Sequence, residues 1–117
     1  MAYDNFLEDR INKVLTSKKV TYEAKKMMGG LCYMVDGKMC VGIMKDNLMC
    51  RIGTDYYESA LSHDHCVPME FTGRPLKGFV FVQPDGIDLE DDLEYWVQKC
   101  LDFNPFAKAS KKKKIKK

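Results

Sequence analysis

The sequence predicts a small α+β domain, and three observations carry that assignment: a helical apolar stripe at each end of the chain, and between them a run of short segments with strand periodicity separated by turn dipeptides. The N-terminal stripe places Phe6, Leu7, Ile11, Val14 and Leu15 on one helical face, with Asn5 and Glu8 at capping-box spacing, and predicts a helix over Asp4–Ser17. From Thr21 to Ile52 the chain is punctuated by Gly29-Gly30, Asp36-Gly37 and Asp46-Asn47, which predicts an antiparallel meander.

The register of that meander follows from its turns. A tight turn at Asp36-Gly37 pairs Val35 with Lys38, Met34 with Met39 and Cys32 with Val41; one at Asp46-Asn47 pairs Ile43 with Cys50 and Val41 with Ile52. Cys32, Met34, Met39, Val41, Ile43, Leu48, Cys50 and Ile52 then form an apolar core face. The opposite face, with Leu31, Tyr33, Val35, Lys38, Cys40, Gly42, Met44, Lys45, Met49 and Arg51, is mixed. A tight turn at Gly29-Gly30 would put Glu23 and Lys25 on the core face, so a bulge or wider loop is expected there.

Thr54 is expected to cap a short helix through Leu61 that turns Tyr57, Ala60 and Leu61 inward. Cys66–Phe71 and Phe79–Val82 read as two further strands, joined by a loop over Gly73–Gly78. The last helix is expected from an Asp88 cap to Phe103, with Glu90, Asp91 and Asp92 at its positive end and Leu89, Leu93, Trp96, Val97, Cys100 and Leu101 as its stripe. Asn104-Pro105 stops it.

Composition sets the remaining bounds. At 117 residues and 45% hydrophobic the chain is long enough for one core without metal or disulfide. No apolar run reaches the ~20 residues that span a bilayer, and the acidic start lacks a signal-peptide core, so a cytoplasmic protein with no membrane partner is expected. Five scattered cysteines without a C-x-x-C pair are expected to be reduced thiols. The net charge of +2 hides an asymmetry: Lys108, Lys111, Lys112, Lys113, Lys114, Lys116 and Lys117 leave residues 1–107 with a net charge of −5. The expected organisation is a domain over 1–104 and a disordered lysine-rich tail over 105–117.

Candidate chemistry is sparse. His63-Asp64-His65-Cys66 has metal-capable types, but adjacent residues of an extended chain point to opposite faces, and incidental loop histidines explain it; no metal or cofactor is expected. No cysteine has an assignable base, so no catalytic residue is expected. The acidic row at Glu90, Asp91, Asp92 and Glu94 suits the start of a helix. In the Gly73–Gly78 loop, Arg74 and Lys77 offer charge where glycine lets backbone N–H groups approach an anion, and Arg51 on the second sheet face extends the patch; a plain bent connection is the competing reading. Lys111, Lys112, Lys113, Lys114, Lys116 and Lys117 can contact nucleic-acid phosphates without reading sequence, or simply aid solubility.

The ordered strings Lys26-Met27-Met28-Gly29-Gly30-Leu31-Cys32, Asp36-Gly37-Lys38-Met39, Arg51-Ile52-Gly53 and Met69-Glu70-Phe71-Thr72-Gly73-Arg74-Pro75-Leu76-Lys77-Gly78-Phe79-Val80 resemble the N-terminal domain of the TfoX/Sxy competence regulators over residues 4–104. Met28 stands where the family often has Phe. The resemblance implies a two-layer fold, an antiparallel sheet packed against N- and C-terminal helices, and a link to competence regulators that act with the cyclic-AMP receptor protein at promoters. Those regulators carry a further C-terminal domain, so a stand-alone N-terminal domain is expected. Two functions follow as expectations: a non-enzymatic module that binds a protein or nucleic acid in transcription or competence regulation, or an enzyme acting on a small anionic or nucleic-acid substrate. The second requires a deep pocket holding a nucleophile and a base.

Overall fold

In the computed structural model, which describes residues 5–27, 30–71 and 73–107, three α-helices lie on one face of a six-stranded antiparallel sheet. The order along the chain is α1 (Asn5–Ser17), β1 (Glu23–Met27), β2 (Gly30–Val35), β3 (Lys38–Met44), β4 (Asn47–Arg51), α2 (Thr54–Leu61), β5 (Cys66–Phe71), β6 (Arg74–Val82) and α3 (Glu90–Phe103). Across the sheet the order is β1-β2-β3-β4-β6-β5, so the meander is extended by a hairpin whose second strand inserts beside β4. The core forms between this sheet and the helices. Leu7, Ile11 and Leu15 of α1, Ala60 of α2 and Leu93, Trp96, Val97 and Cys100 of α3 close over Leu31, Tyr33, Val41, Ile43, Leu48, Cys50, Val80 and Val82.

One inserted residue rearranges the predicted faces. The Asp36-Gly37 turn forms, with φ of 55° and 74°, and pairs Val35 with Lys38 and Met34 with Met39. The register then shifts, so that Tyr33 faces Val41 and Cys32 faces Gly42. An odd shift exchanges the faces of everything beyond it on one strand. Leu31, Tyr33 and Val35 therefore enter the helix-side core, together with Cys40, whereas Cys32, Met34 and Met39 belong to the other face. The same exchange removes the conflict expected at β1: Glu23 pairs with Met34 and Lys25 with Cys32, away from the helices, and the β1–β2 pairing runs without a bulge. Residue Gly29 of that turn lies outside the described residues.

The second turn is at Lys45-Asp46 and not Asp46-Asn47, because Met44 pairs with Asn47 and Ile43 with Leu48. That slip is even, so Val41, Ile43, Leu48 and Cys50 keep their core face as expected. The expected Gly73–Gly78 loop is strand: β6 starts at Arg74, paired with Phe71. The face away from the helices is mixed as expected, with Glu23, Lys25 and Arg51 on it, but it also holds a second apolar cluster, in which Cys32, Met49 and Met69 are buried against Met34, Met39, Leu76, Phe79 and Phe81.

Helix starts also differ from expectation. Gly53, not Thr54, occupies the N-cap of α2, and Leu89, not Asp88, that of α3; neither makes a side-chain cap bond. Leu89 and Phe6, assigned to apolar stripes, are 65% and 71% exposed. Arg10 of α1 holds the α3 start instead, donating to the carbonyls of Ile87 at 2.6 Å and Asp88 at 3.3 Å and to the Glu90 carboxylate at 2.8 Å. The far end of α3 is fixed by buried Asn104, whose amide donates to the Val35 carbonyl at 3.2 Å.

Candidate functional site

Where β4 ends, the chain has little room. The N–H groups of Ile52 and Gly53 both donate to the Gly78 carbonyl, at 2.8 and 3.2 Å, which ties the β4–α2 junction to β6. Gly53 has φ 88° and ψ 160°, a region open essentially to glycine alone, and a Cβ there would lie 2.5 Å from the Phe103 ring. Phe103, at the end of α3, therefore lies directly on the Gly53 backbone. Phe106 follows in a short 3-10 turn, Asn104–Phe106, and is 78% exposed.

Around this junction a groove of about 470 Å³ opens, lined by Arg51, Gly53, Thr54, Lys77, Gly78, Phe79, Phe103 and Phe106. Phe79, Phe103 and Phe106 make its lining aromatic, and among the described residues its two charged side chains, Arg51 and Lys77, are both cationic. The Arg51 guanidinium lies 5.3 Å from the Phe79 ring centre and 6.0 Å from that of Phe103, and donates to the Met39 carbonyl at 3.4 Å. Burial lowers its pKa, opposed by the neighbouring Cys32 and Cys40. Lys77 is exposed and has no carboxylate partner among the described residues. A second groove of about 400 Å³ shares Gly53, Thr54, Phe103 and Phe106 and continues past Asp55, Tyr56, Lys99 and Asp102.

Two of the three cations singled out in the sequence, Arg51 and Lys77, thus line one groove. Arg74 is placed on β6 by its backbone, and its side chain lies outside the described residues, as do Lys111, Lys112, Lys113, Lys114, Lys116 and Lys117. Sequence reasoning missed Phe79, Phe103 and Phe106. The available signal was the aromatic pair flanking Asn104-Pro105, which marks side chains displayed where a helix is forced to stop.

His63 packs edge-on against Trp96, with ring centres 5.0 Å apart, and approaches the Tyr56 hydroxyl at 3.4 Å. Tyr56 also bonds to Tyr95, and burial followed by that bond pushes its phenol up to about 12. Lys99 caps the pair, 4.7 Å from the Tyr56 ring centre. His63, His65 and the carboxylates Asp64, Asp85, Asp91 and Asp92 line a cavity of about 540 Å³. Among the described residues no group of three or more His, Cys, Asp or Glu side chains is arranged to hold a metal. All five cysteines are buried free thiols. Burial pushes Cys32 and Cys66 up to about 11 and also raises Cys40 and Cys100 well above the ordinary thiol value, which disfavours the nucleophilic thiolate. No helix of the described residues is long and apolar enough to cross a membrane.

The chain matches no curated protein and no solved structure. A family model described as TfoX N-terminal domain matches residues 15–104 of the 117, a span that runs from the end of α1 to the Asn104 lock and includes the whole sheet, Arg51, Lys77 and Phe103. The chain belongs to the TfoX N-terminal domain family.

Proposed function

We propose that this protein is a non-catalytic binding module, acting in regulation of the kind associated with its family, transcription and competence, and that it engages its partner through the groove at the β4–α2 junction. The observation that carries this reading is the convergence of Arg51 and Lys77 on one aromatic groove, although residues 1–107 have a net charge of −5. Cations gathered against the overall charge, beside exposed aromatic surface, have the make-up of an interaction surface. The enzyme reading is less well supported: the buried thiols are held protonated, and His63 is packed against Trp96.

The test is affinity capture from the protein's own cells with wild type and Lys77→Glu in parallel, both first shown to melt alike. A partner held by wild type and lost by Lys77→Glu supports groove binding. One retained equally by both refers binding to another surface.

A further inference from the structure

The charge along the two joined grooves is uneven, and this restricts what fits. Among the described residues the charged side chains of the Arg51–Lys77 arm are cations, whereas the arm past Thr54 mixes Asp55 and Asp102 with Lys99. Asp102 accepts from Gln98 at 2.8 Å, and Lys99 lies over the Tyr56 and Tyr95 rings. Between the arms stand Phe103 and Phe106, the latter 78% exposed. An aromatic side chain displayed between apolar walls and a charged rim is the usual composition of a binding hot spot. A DNA duplex is a poor occupant: it presents closely spaced phosphates that call for a row of cations, and the acidic body repels it.

We propose that the groove takes a peptide segment of a partner protein in which an aromatic or large aliphatic residue seats against Phe103 and Phe106 and is flanked on one side by acidic residues that meet Arg51 and Lys77. The inference deepens the groove-binding reading and rests on it. Acidity is required on one flank only, because the other flank passes Asp55 and Asp102, where further carboxylates are repelled.

The experiment is selection of a random dodecapeptide phage library on the immobilised full chain, followed by affinity measurement of the enriched peptides on wild type, Lys77→Glu and Phe106→Ala. Both variants keep the lysines of residues 108–117, so acidic peptides attracted only by those lysines bind all three proteins alike. The expected peptides carry an apolar anchor with Asp or Glu on one side, and lose at least about tenfold in affinity with either variant. Peptides that are sensitive to both variants but lack the acidic flank overturn the acidic-peptide inference and leave groove binding standing. Equal binding to all three proteins, or no enrichment over a bare surface, overturns both. Displacement of the peptides by duplex DNA from wild type but not from Lys77→Glu identifies nucleic acid as the occupant and overturns the inference.

Discussion

At the scale of single residues, the groove depends on a backbone that only glycine tolerates. Gly53 combines a φ of 88° with the close approach of Phe103, so Gly53→Ala meets both strain and a ring that must move. The strain alone is worth about 1–3 kcal/mol. The expected outcome is a loss of at least that size in urea unfolding, and a change within about 0.5 kcal/mol, typical of open surface, would show that Phe103 does not rest on Gly53. The cysteines lead to a pH prediction. Cys32 and Cys66 have thiol pKa values raised by burial to about 11, above the roughly 8.5 of an unfolded chain. A raised thiol keeps its proton in the folded state after the unfolded state has lost it. Its contribution to stability is therefore complete below about pH 8.5 and is lost as pH rises towards 11. Urea midpoints should fall across that window, and less so in a Cys32→Ala, Cys66→Ala double variant. A native protein whose thiols react with a disulfide reagent as fast as the urea-unfolded chain would contradict their burial.

At the scale of elements, Arg10 joins α1 to the start of α3 through two kinds of contact that a pair of variants separates. Its Glu90 partner is 69% exposed, and an exposed ion pair contributes at most about 1 kcal/mol. The bonds to the Ile87 and Asp88 carbonyls are different, because losing them leaves acceptors at a helix start without the charged donor, a cost of about 1.5–3 kcal/mol. Arg10→Ala should therefore destabilise clearly more than Glu90→Ala in thermal or urea unfolding; equal effects would assign the contact to the ion pair. The elements also show what the sequence made legible. Helical stripes and turn dipeptides report local preferences, and α1, α2, α3 and β5 fall within two residues of where periodicity put them. Face assignment depends on parity across a hairpin, so the slip at Lys45-Asp46 did no harm, whereas the shift beside Tyr33 exchanged the faces of β2. Nothing local marks that shift: the residues on either side of it are apolar and suit both faces. The site was legible in part for a related reason. Charged residues such as Arg51 and Lys77 stand out in any sequence, but the aromatic floor draws on β6 and α3, elements whose proximity is a property of sheet order.

At the scale of the whole molecule, the charge of the chain is divided between residues 1–107 and the lysine-rich residues 108–117. Ala107, the last described residue, is buried, Asn104 is bonded to Val35, and the seven lysines follow in the sequence. Removing residues 108–117 takes away no described core contact. It also changes the net charge from +2 to −5. Stability and nucleic-acid affinity should consequently separate in one deletion. The truncated chain is expected to unfold within about 0.5 kcal/mol of the full one, as for a change away from packed structure. Any affinity of the full chain for a DNA duplex should fall with salt at a log-log slope near −0.9 per phosphate neutralised, and should drop sharply on truncation, because a body of net charge −5 repels a polyanion. Titration of both forms onto one duplex at several salt concentrations gives the answer. Equal slopes and affinities would place duplex binding on the folded domain, where Arg51 and Lys77 are the cations to substitute next, and a deletion that unfolds the protein would show that residues beyond Ala107 belong to the fold.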